Sequence, residues 1–448
     1  MSTPRGLTFE EARRAILSTA ADVERRVSVR PIESALEHAL AEPIQSSIAL
    51  PPWNNAGMDG YAVRRADVIG ATAQAPVVLP VIATSMAGAD VTTLPVVRPG
   101  TSVRIMTGAP MPPEADAVIR IEDTDGGSAD GGSADGGSAN GGSTQVTITD
   151  ARDAIGRGNV RPRGEDVAEG AQLFAAGTTI RAAHLGVLAS IGCATVRVFE
   201  RPRVTILSSG DELVLLDRFH EVAAGKRIIA SSSYALPPLL RSAGADVTVA
   251  PIAEDSLAGM TAAVAAALER GCDLLVTTGG ISVGAHDFTR DAIDANGGVQ
   301  TFWRAKIRPG GPVGTGRIAT VPWIGLPGNP VSTLVTATLF AWPLIRALGG
   351  HARVLPTALP VRMMDRAETP APLSYFLRVA LSTGDDGTLE ARLAGAQGSN
   401  LLSTMAHTDA LLQIPADCDT VTPGMLLPAI LLPEAPLLMA PDTAAVRA

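Results

Sequence analysis

Three loops in this sequence gather glycine, hydroxyl and carboxylate side chains at the ends of short apolar runs. Leu274-Leu275-Val276-Thr277-Thr278 stops at Gly279-Gly280, and Ser282, Gly284 and Asp287 follow within a few residues. Val204–Leu207 opens into Ser208-Ser209-Gly210-Asp211-Glu212, and Pro322–Leu326 opens into Pro327-Gly328-Asn329-Pro330. Apolar, β-rich runs of this length read as buried parallel strands. In open α/β sheets, ligands sit just outside the carboxyl ends of such strands. Pooling Asp211, Glu212 and Asp287 on one edge suits a hard cation such as Mg²⁺, which takes oxygen ligands and bridges to phosphates. The glycines let a backbone approach an anion, and a helix starting at Phe288 offers free N–H groups. Taken singly, each carboxylate reads equally as a helix N-cap or a solvated turn. Three loops meeting on one edge favour a site.

A fourth element is basic. In the stretch Phe302–Pro312, alternation puts Arg304, Lys306 and Arg308 on one face of an extended segment, as an anion clamp requires. The competing reading is an edge strand protected by charge. A second basic run, Arg157, Arg161 and Arg163, leads into Gly164-Glu165-Asp166. The formal net charge of −9 argues against nucleic-acid or anionic-membrane binding, so an anionic ligand must find one of these local patches. Together they describe a site for a polyanionic, metal-associated small molecule. The six histidines are scattered without spaced partners, and neither a Walker A nor a GxGxxG stretch is present.

The elements that position these residues follow from the patterning. With 448 residues, 46% hydrophobic and 18% charged, the chain is globular and long enough for several domains. Thr8–Glu11 is a capping box, and Ile16, Ala20, Val23 and Val27 continue a helical stripe with Glu10–Arg14 and Asp22–Arg26 as ion pairs. A second short helix is expected over Ile32–Leu40. From Trp53 to Val167 short β runs (Val77–Val81, Val103–Met106, Ala117–Ile121, Val146–Ile148) alternate with turns. The repeat GGSADGGSADGGSANGGS, residues 126–143, has nothing to bury and reads as a flexible hairpin tip. After a helix at His184–Ser190 and a strand at Ala194–Phe199, strands and helices alternate to Leu348. This implies a doubly wound parallel sheet, with one helix, Ser233–Ala243, broken at Pro237-Pro238. Beyond Gly349-Gly350 five short β runs predict a small barrel. The expected domains are 1–52 with 168–200, a discontinuous linker domain; 53–167, β-rich; 201–350, α/β; and 351–448, the barrel.

The start of the chain is charged where a signal peptide would be apolar. The longest apolar run, Val331–Ile345, is short for a membrane span and contains Pro343. Three separated cysteines, Cys193, Cys272 and Cys418, fit a reducing cytoplasm.

Over nearly its full length the chain resembles the molybdopterin molybdenumtransferase family, which includes MoeA and the E domain of gephyrin. The matching stretches are Met58–Arg64, Met106–Ala109 with Ala115–Val118, and Val160–Asp166. They continue through Ser209–Leu213, Gly279–Gly284 with Asp287, Leu326–Ser332 and Gln397–Ser399. The resemblance implies the last step of molybdenum cofactor synthesis. Adenylylated molybdopterin binds, its pyrophosphate link is cleaved to release AMP, and molybdate enters the dithiolene. It implies Asp59, Thr107, Asp166, Glu212 and Asp287 as catalytic residues, with Mg²⁺ on Glu212 and Asp287. Gly279, Gly280, Ser282, Gly284, Arg304, Arg308, Pro327, Gly328, Asn329, Pro330 and Ser399 would bind substrate. It also implies a four-domain homodimer with the site shared between protomers, and a molybdopterin adenylyltransferase as an expected partner. The alternatives are a gephyrin-like or degenerate scaffold without turnover, and the adenylyltransferase itself. The chain departs from the family pattern at Gly311 (usually lysine), Ala230 (usually Asp or Asn), Glu254 (often Asp) and Glu37-His38 (Gly-Arg).

Overall fold

The computed structural model describes residues 6–126, 145–281 and 288–433. The repeat expected at a hairpin tip therefore lies outside the described residues, apart from Gly126. The chain forms two compact units. One comprises residues 1–42, 176–182 and 195–448, and the other 43–175 and 183–194.

In the first unit a six-stranded sheet runs in the order Asp246–Val249, Arg203–Ser208, Leu274–Thr278, Val321–Leu326, Gly314–Ile318, Gly298–Phe302. The first four strands are parallel. The last two run antiparallel to their neighbours, so the sheet is mixed rather than all parallel. Gly314–Ile318 escapes the sequence pattern because its Gly-Thr-Gly-Arg start carries no apolar alternation. Both faces are covered. Met260, Val264, Ala292 and Ile293 pack on one side, and Leu236, Leu240, Val331, Val335 and Ile345 on the other. The architecture is doubly wound, as expected.

Several helix expectations need correction. The first helix is Phe9–Ser18, with the Thr8–Glu11 capping box in place. Val27 instead begins a strand, Val27–Pro31, paired antiparallel with Thr195–Phe199. The expected helix over Ile32–Leu40 is only the turn Ile32–Ser34. Backbone bonds from Glu37 to Ile180, Leu40 to Thr178 and Ala41 to Arg197 replace helical ones, so long-range pairing overrides local spacing. The expected ion pairs re-partner: Glu10 meets Arg13, Asp22 meets Arg317 and Arg26 meets Asp273. The helix Ser232–Ser242 runs unbroken through Pro237 and Pro238, held by buried Leu236, Leu239 and Leu240.

The apolar run after Pro330 forms one continuous helix, Pro330–Leu348, whose 19 residues are long enough and apolar enough to cross a membrane. Most of its residues are buried, and it serves as the central core helix of the unit. Pro343 does not interrupt it. A π-helical turn at Ala337–Ala341 precedes the proline and absorbs the lost backbone bond. The barrel is closed by strands Ser374–Thr383, Leu389–Leu393, Ala358–Met363, Leu426–Leu431 and Ala410–Ile414, the last pairing back to the first. Ile307–Arg308 is added at the edge of this sheet.

The second unit carries a five-stranded sheet in the order Ala117–Arg120, Gly60–Val63, Ser102–Ile105, Val77–Ser85, Gln145–Ile148. Tyr61, Val63 and Ile119 pack on one face, with Ala62, Val103 and Val118 on the other. Gly60 stands where two strands approach too closely for a side chain. A Cβ there would lie 1.9 Å from the Ile119 carbonyl oxygen. Gly60→Ala is therefore expected to destabilise this unit by about 3 kcal/mol, the cost of forcing atoms into a packed core. Urea unfolding followed by a probe in residues 43–175 measures this, and wild-type stability would refute the steric assignment.

Candidate active site

The chain leaves Arg203–Ser208 for a strand on one side, Asp246–Val249, and returns to one on the other, Leu274–Thr278. Strand order reverses there, and such a reversal opens a crevice at the carboxyl ends. A pocket of about 520 Å³ occupies it. The parallel register sets Ser208 beside Thr278 and Thr278 beside Leu326, so the three loops leave the sheet at one level. A hydroxyl clasp ties two of the strand ends, with Thr278 Oγ1 donating to Ser208 Oγ at 2.9 Å.

The pocket lining gathers Glu212, Gly279, Gly280, Pro327, Gly328, Asn329 and Pro330, as the sequence expects. Gly280 has φ +62°, and a Cβ there would meet the Thr289 hydroxyl at 2.3 Å. Ser399 reaches the same place from the barrel. Its hydroxyl lies 3.3 Å from Asn329 Nδ2, and its carbonyl accepts the Val331 N–H at 3.2 Å. Ser282, Gly284 and Asp287 lie outside the described residues. Asp211 does not line the pocket; its carboxylate accepts the Asp255 N–H at 3.1 Å and its carbonyl accepts from Arg227.

Asp255 itself lines the pocket, with Ser231 and Ser232, and sequence reasoning passes over all three. Asp255 follows the strand Asp246–Val249, so the rule applied to the other strand ends would find it. No lysine or arginine is among the described lining residues. Among the described lining residues, those that could hold a metal are Glu212 and Asp255, an oxygen donor set suited to a hard cation. Among the described residues no group of three or more metal-ligating side chains is present.

Arg304, Lys306 and Arg308 alternate with buried Ala305 and Ile307, so one face of this segment is cationic. None makes an ion pair with a described carboxylate, and none lines the pocket, although Pro312 at the end of the same stretch does. At Gly311 an added Cβ would lie 3.3 Å from the carbonyls of Ala305 and Ile307, and φ is not in the left-handed region. The backbone there accepts a side chain after a shift of a few tenths of an ångström. Ala230 is buried in the pocket wall.

A cation that the sequence reading misses is Arg378, fully buried in the barrel. It donates to Thr404 Oγ1 at 2.8 Å and to the carbonyls of Ala396 at 2.6 Å and Gly398 at 3.2 Å. Its Nη1 has no hydrogen-bond partner. Arg378 thus props the loop that presents Ser399 to Asn329.

The other unit holds Asp59, Thr107 and Asp166. Asp59 Oδ1 accepts from the Thr107 N–H at 2.6 Å and the Thr107 hydroxyl at 2.7 Å. These bonds, with Arg104 adding a weaker pull, lower the Asp59 pKa. Asp166 is exposed at the end of a loop hung on the carbonyls of Leu50 and Pro51. In the preceding basic run Arg157 pairs with Glu165 and Arg163 with Glu169, so of the three Arg161 alone makes no described ion pair.

Family profiles match the chain in three consecutive blocks. These are the "MoeA N-terminal region (domain I and II)" over residues 7–192, the "Probable molybdopterin binding domain" over 205–347, and the "MoeA C-terminal region (domain IV)" over 360–432. The chain belongs to the MoeA family. MoeA-family relatives include a molybdopterin molybdenumtransferase of Nostoc, 31% identical over 92% of this chain and 90% of that protein. Molybdopterin molybdenumtransferase 2 of Mycobacterium tuberculosis is 35% identical over 89% of this chain and 93% of its own. Among solved structures, the molybdopterin biosynthesis MoeA protein of Pyrococcus horikoshii superposes with a TM-score of 0.74 at 27% identity. The match covers 96% of this chain and 99% of that one.

The Asp59–Thr107 pair generates a prediction with a definite sign. A carboxylate whose pKa is depressed below its ordinary 3.8 adds stability that is present above that pH and lost as pH falls through the native pKa. Thr107→Val removes the hydroxyl bond and leaves the N–H bond, so Asp59 should titrate at a higher pH than in the wild type. The acid-side stability of the variant should fall accordingly. NMR titration of the Asp59 carboxyl reads the shift, and an unmoved curve would show that the hydroxyl contributes nothing.

Proposed function

We propose that this chain is a molybdenum insertase: a transferase that places molybdate into the dithiolene of adenylylated molybdopterin and releases AMP. The observation that carries this reading is the pocket at the strand-order reversal. It is built from hydroxyls, glycine backbone and two carboxylates, in a chain whose relatives are named molybdopterin molybdenumtransferase. Cleaving a phosphoanhydride needs charge neutralised on its oxygens and an oxygen nucleophile held in line. Molybdate is itself an oxygen nucleophile, so no covalent protein intermediate is required. The glycine backbone at Gly279-Gly280 and Gly328 admits the phosphates, and Asn329 with Ser399 lies at the entry of the Pro330–Leu348 helix, where an anion is favoured. Arg304 and Arg308 are proposed to hold the anionic ends of the substrate from the basic segment.

A phosphate-bearing ligand facing Glu212 and Asp255 meets like charge, which a hard cation would relieve. We propose Mg²⁺ on Glu212 and Asp287, where it would neutralise phosphate oxygens when bound. The three cysteines make no disulfide, which fits the proposed cytoplasmic setting. A molybdopterin adenylyltransferase would supply the substrate.

The deciding experiment combines purified protein, adenylylated molybdopterin, Mg²⁺ and molybdate, and follows AMP. Wild type should release it, EDTA should abolish release, and Glu212→Gln should slow it by about a hundredfold with the fold unchanged. No AMP from wild type would favour a scaffold without turnover.

We further propose a homodimer with each site shared between protomers, Asp59, Thr107 and Asp166 coming from one copy and the Glu212 pocket from the other. Two-fold symmetry then makes two equal sites. Asp59→Ala and Asp287→Asn homodimers should each be inactive. Purified mixed heterodimers should recover about half the wild-type rate, because one site carries both changes and the other neither. Inactive heterodimers, beside active wild-type controls, would place the whole site in one chain.

A further inference from the structure

A second cavity, about 300 Å³, lies at the opposite end of the α/β sheet from the Glu212 pocket. Leu36, Glu37, Ile180, Arg181, Ser242 and Arg346 border it. Ser242 ends one helix, and the parallel strand Asp246–Val249 starts just beyond it. The cavity is therefore at the amino ends of strands whose carboxyl ends form the first pocket. Nothing in the proposed reaction uses it.

Its distinguishing group is Arg346, partly buried in the last turn of the long core helix. The Nε donates to the Arg353 carbonyl at 2.8 Å, and Nη2 donates to Thr179 Oγ1 at 3.0 Å. The guanidinium also lies 5.1 Å from the Trp342 ring. Nη1 donates to no described protein atom, and no described carboxylate pairs with the group. Burial alone pulls its pKa down, with no carboxylate acting in the other direction. Neighbouring groups do not balance the charge. Glu37 reaches toward Arg201, 3.4 Å away. His351, whose Nδ1 sits 2.8 Å from Thr179 Oγ1, is held neutral by burial and by Arg346, its pKa lowered to about 3. Ser242 is occupied as well, donating to Leu239 and accepting from Trp342.

A role as helix C-cap accounts for the Arg353 bond and the favourable end of the helix dipole. It does not account for a cavity at the guanidinium or for the donor left unused. A partly buried cation without a counter-charge is costly, and a bound oxyanion is what a guanidinium fork recognises best. The volume is at the small end of organic ligand sites, and Leu36 and Ile180 offer apolar wall beside the charge.

We propose that this cavity binds the tetrahedral oxyanion of a small phosphate-bearing ligand, held by Arg346 with Arg181 at the border. The test is calorimetric titration of the full chain with inorganic phosphate and, in parallel, glycerol 3-phosphate. Arg181→Glu changes an exposed side chain and should weaken binding by about tenfold or more, as should Arg346→Gln. Glu212→Gln, in the other pocket, should leave this binding unchanged. Tighter binding of glycerol 3-phosphate assigns a phosphorylated metabolite, and equal binding assigns the free ion. If Arg346→Gln fails to fold, Arg181→Glu decides. Undiminished phosphate binding in Arg181→Glu, or no binding by wild type, overturns the proposal.

Discussion

Everything in the first unit that concerns chemistry depends on the level at which three parallel strands end. Ser208, Thr278 and Leu326 are held in register by the sheet, and the Thr278–Ser208 hydroxyl bond fixes two of the ends to each other. A slip of one residue would reverse which side chains face the core and would carry Glu212 and Gly280 out of the pocket. The core that prevents the slip is unusually complete. Strand Leu274–Thr278 is buried at every position, with helices on both faces. The loops can thus be rich in glycine and serine, residues that stabilise little, because the strands beneath them are fixed by the packed core.

Charge is distributed unevenly around this frame. The pocket wall is acidic, the cations Arg304, Lys306 and Arg308 stand on an edge segment next to the barrel, and Arg378 is hidden inside it. A fully buried guanidinium bonded only to a hydroxyl and backbone carbonyls is an expensive way to hold a loop. That cost is tolerable where the loop carries Ser399 to the helix entry, since a loose loop there would leave Asn329 and Val331 without their partners.

Much of this is legible in the order of the amino acids. Strand ends at Leu207, Thr278 and Leu326 announce themselves through apolar runs cut off by glycine or proline, and the barrel strands through regular spacing. What cannot be read there has non-local causes. Gly314–Ile318 is a strand because its neighbours need it, not because Gly-Thr-Gly prefers extension. Ile32–Leu40 has the spacing of a helix but is claimed by backbone bonds to residues far along the chain. Arg378 interrupts the apolar β run Tyr375–Leu381, where a lone cation is ordinarily expected at the surface, and only tertiary packing turns it inward. Asp255 is a different case, because it obeys the same strand-end rule as the other loops. Its neighbour Glu254, where the family often has Asp, is the more conspicuous carboxylate in the sequence.

The π turn at Ala337–Ala341 has a geometric consequence for the whole first unit. An α-helix advances by about 100° per residue, so one extra residue in a turn rotates everything beyond it by roughly that angle. Pro330 and Val331 belong to one phase of the helix, and Trp342, Leu344 and Arg346 to another. The bulge is the phase shifter that lets a single rod face the Glu212 pocket at its entry and Thr179 at its exit. An evolutionary deletion of one residue there would leave composition and hydropathy untouched. It would nonetheless turn the distal half of the rod by roughly 100°, carrying Leu344 out of the core and Arg346 away from Thr179.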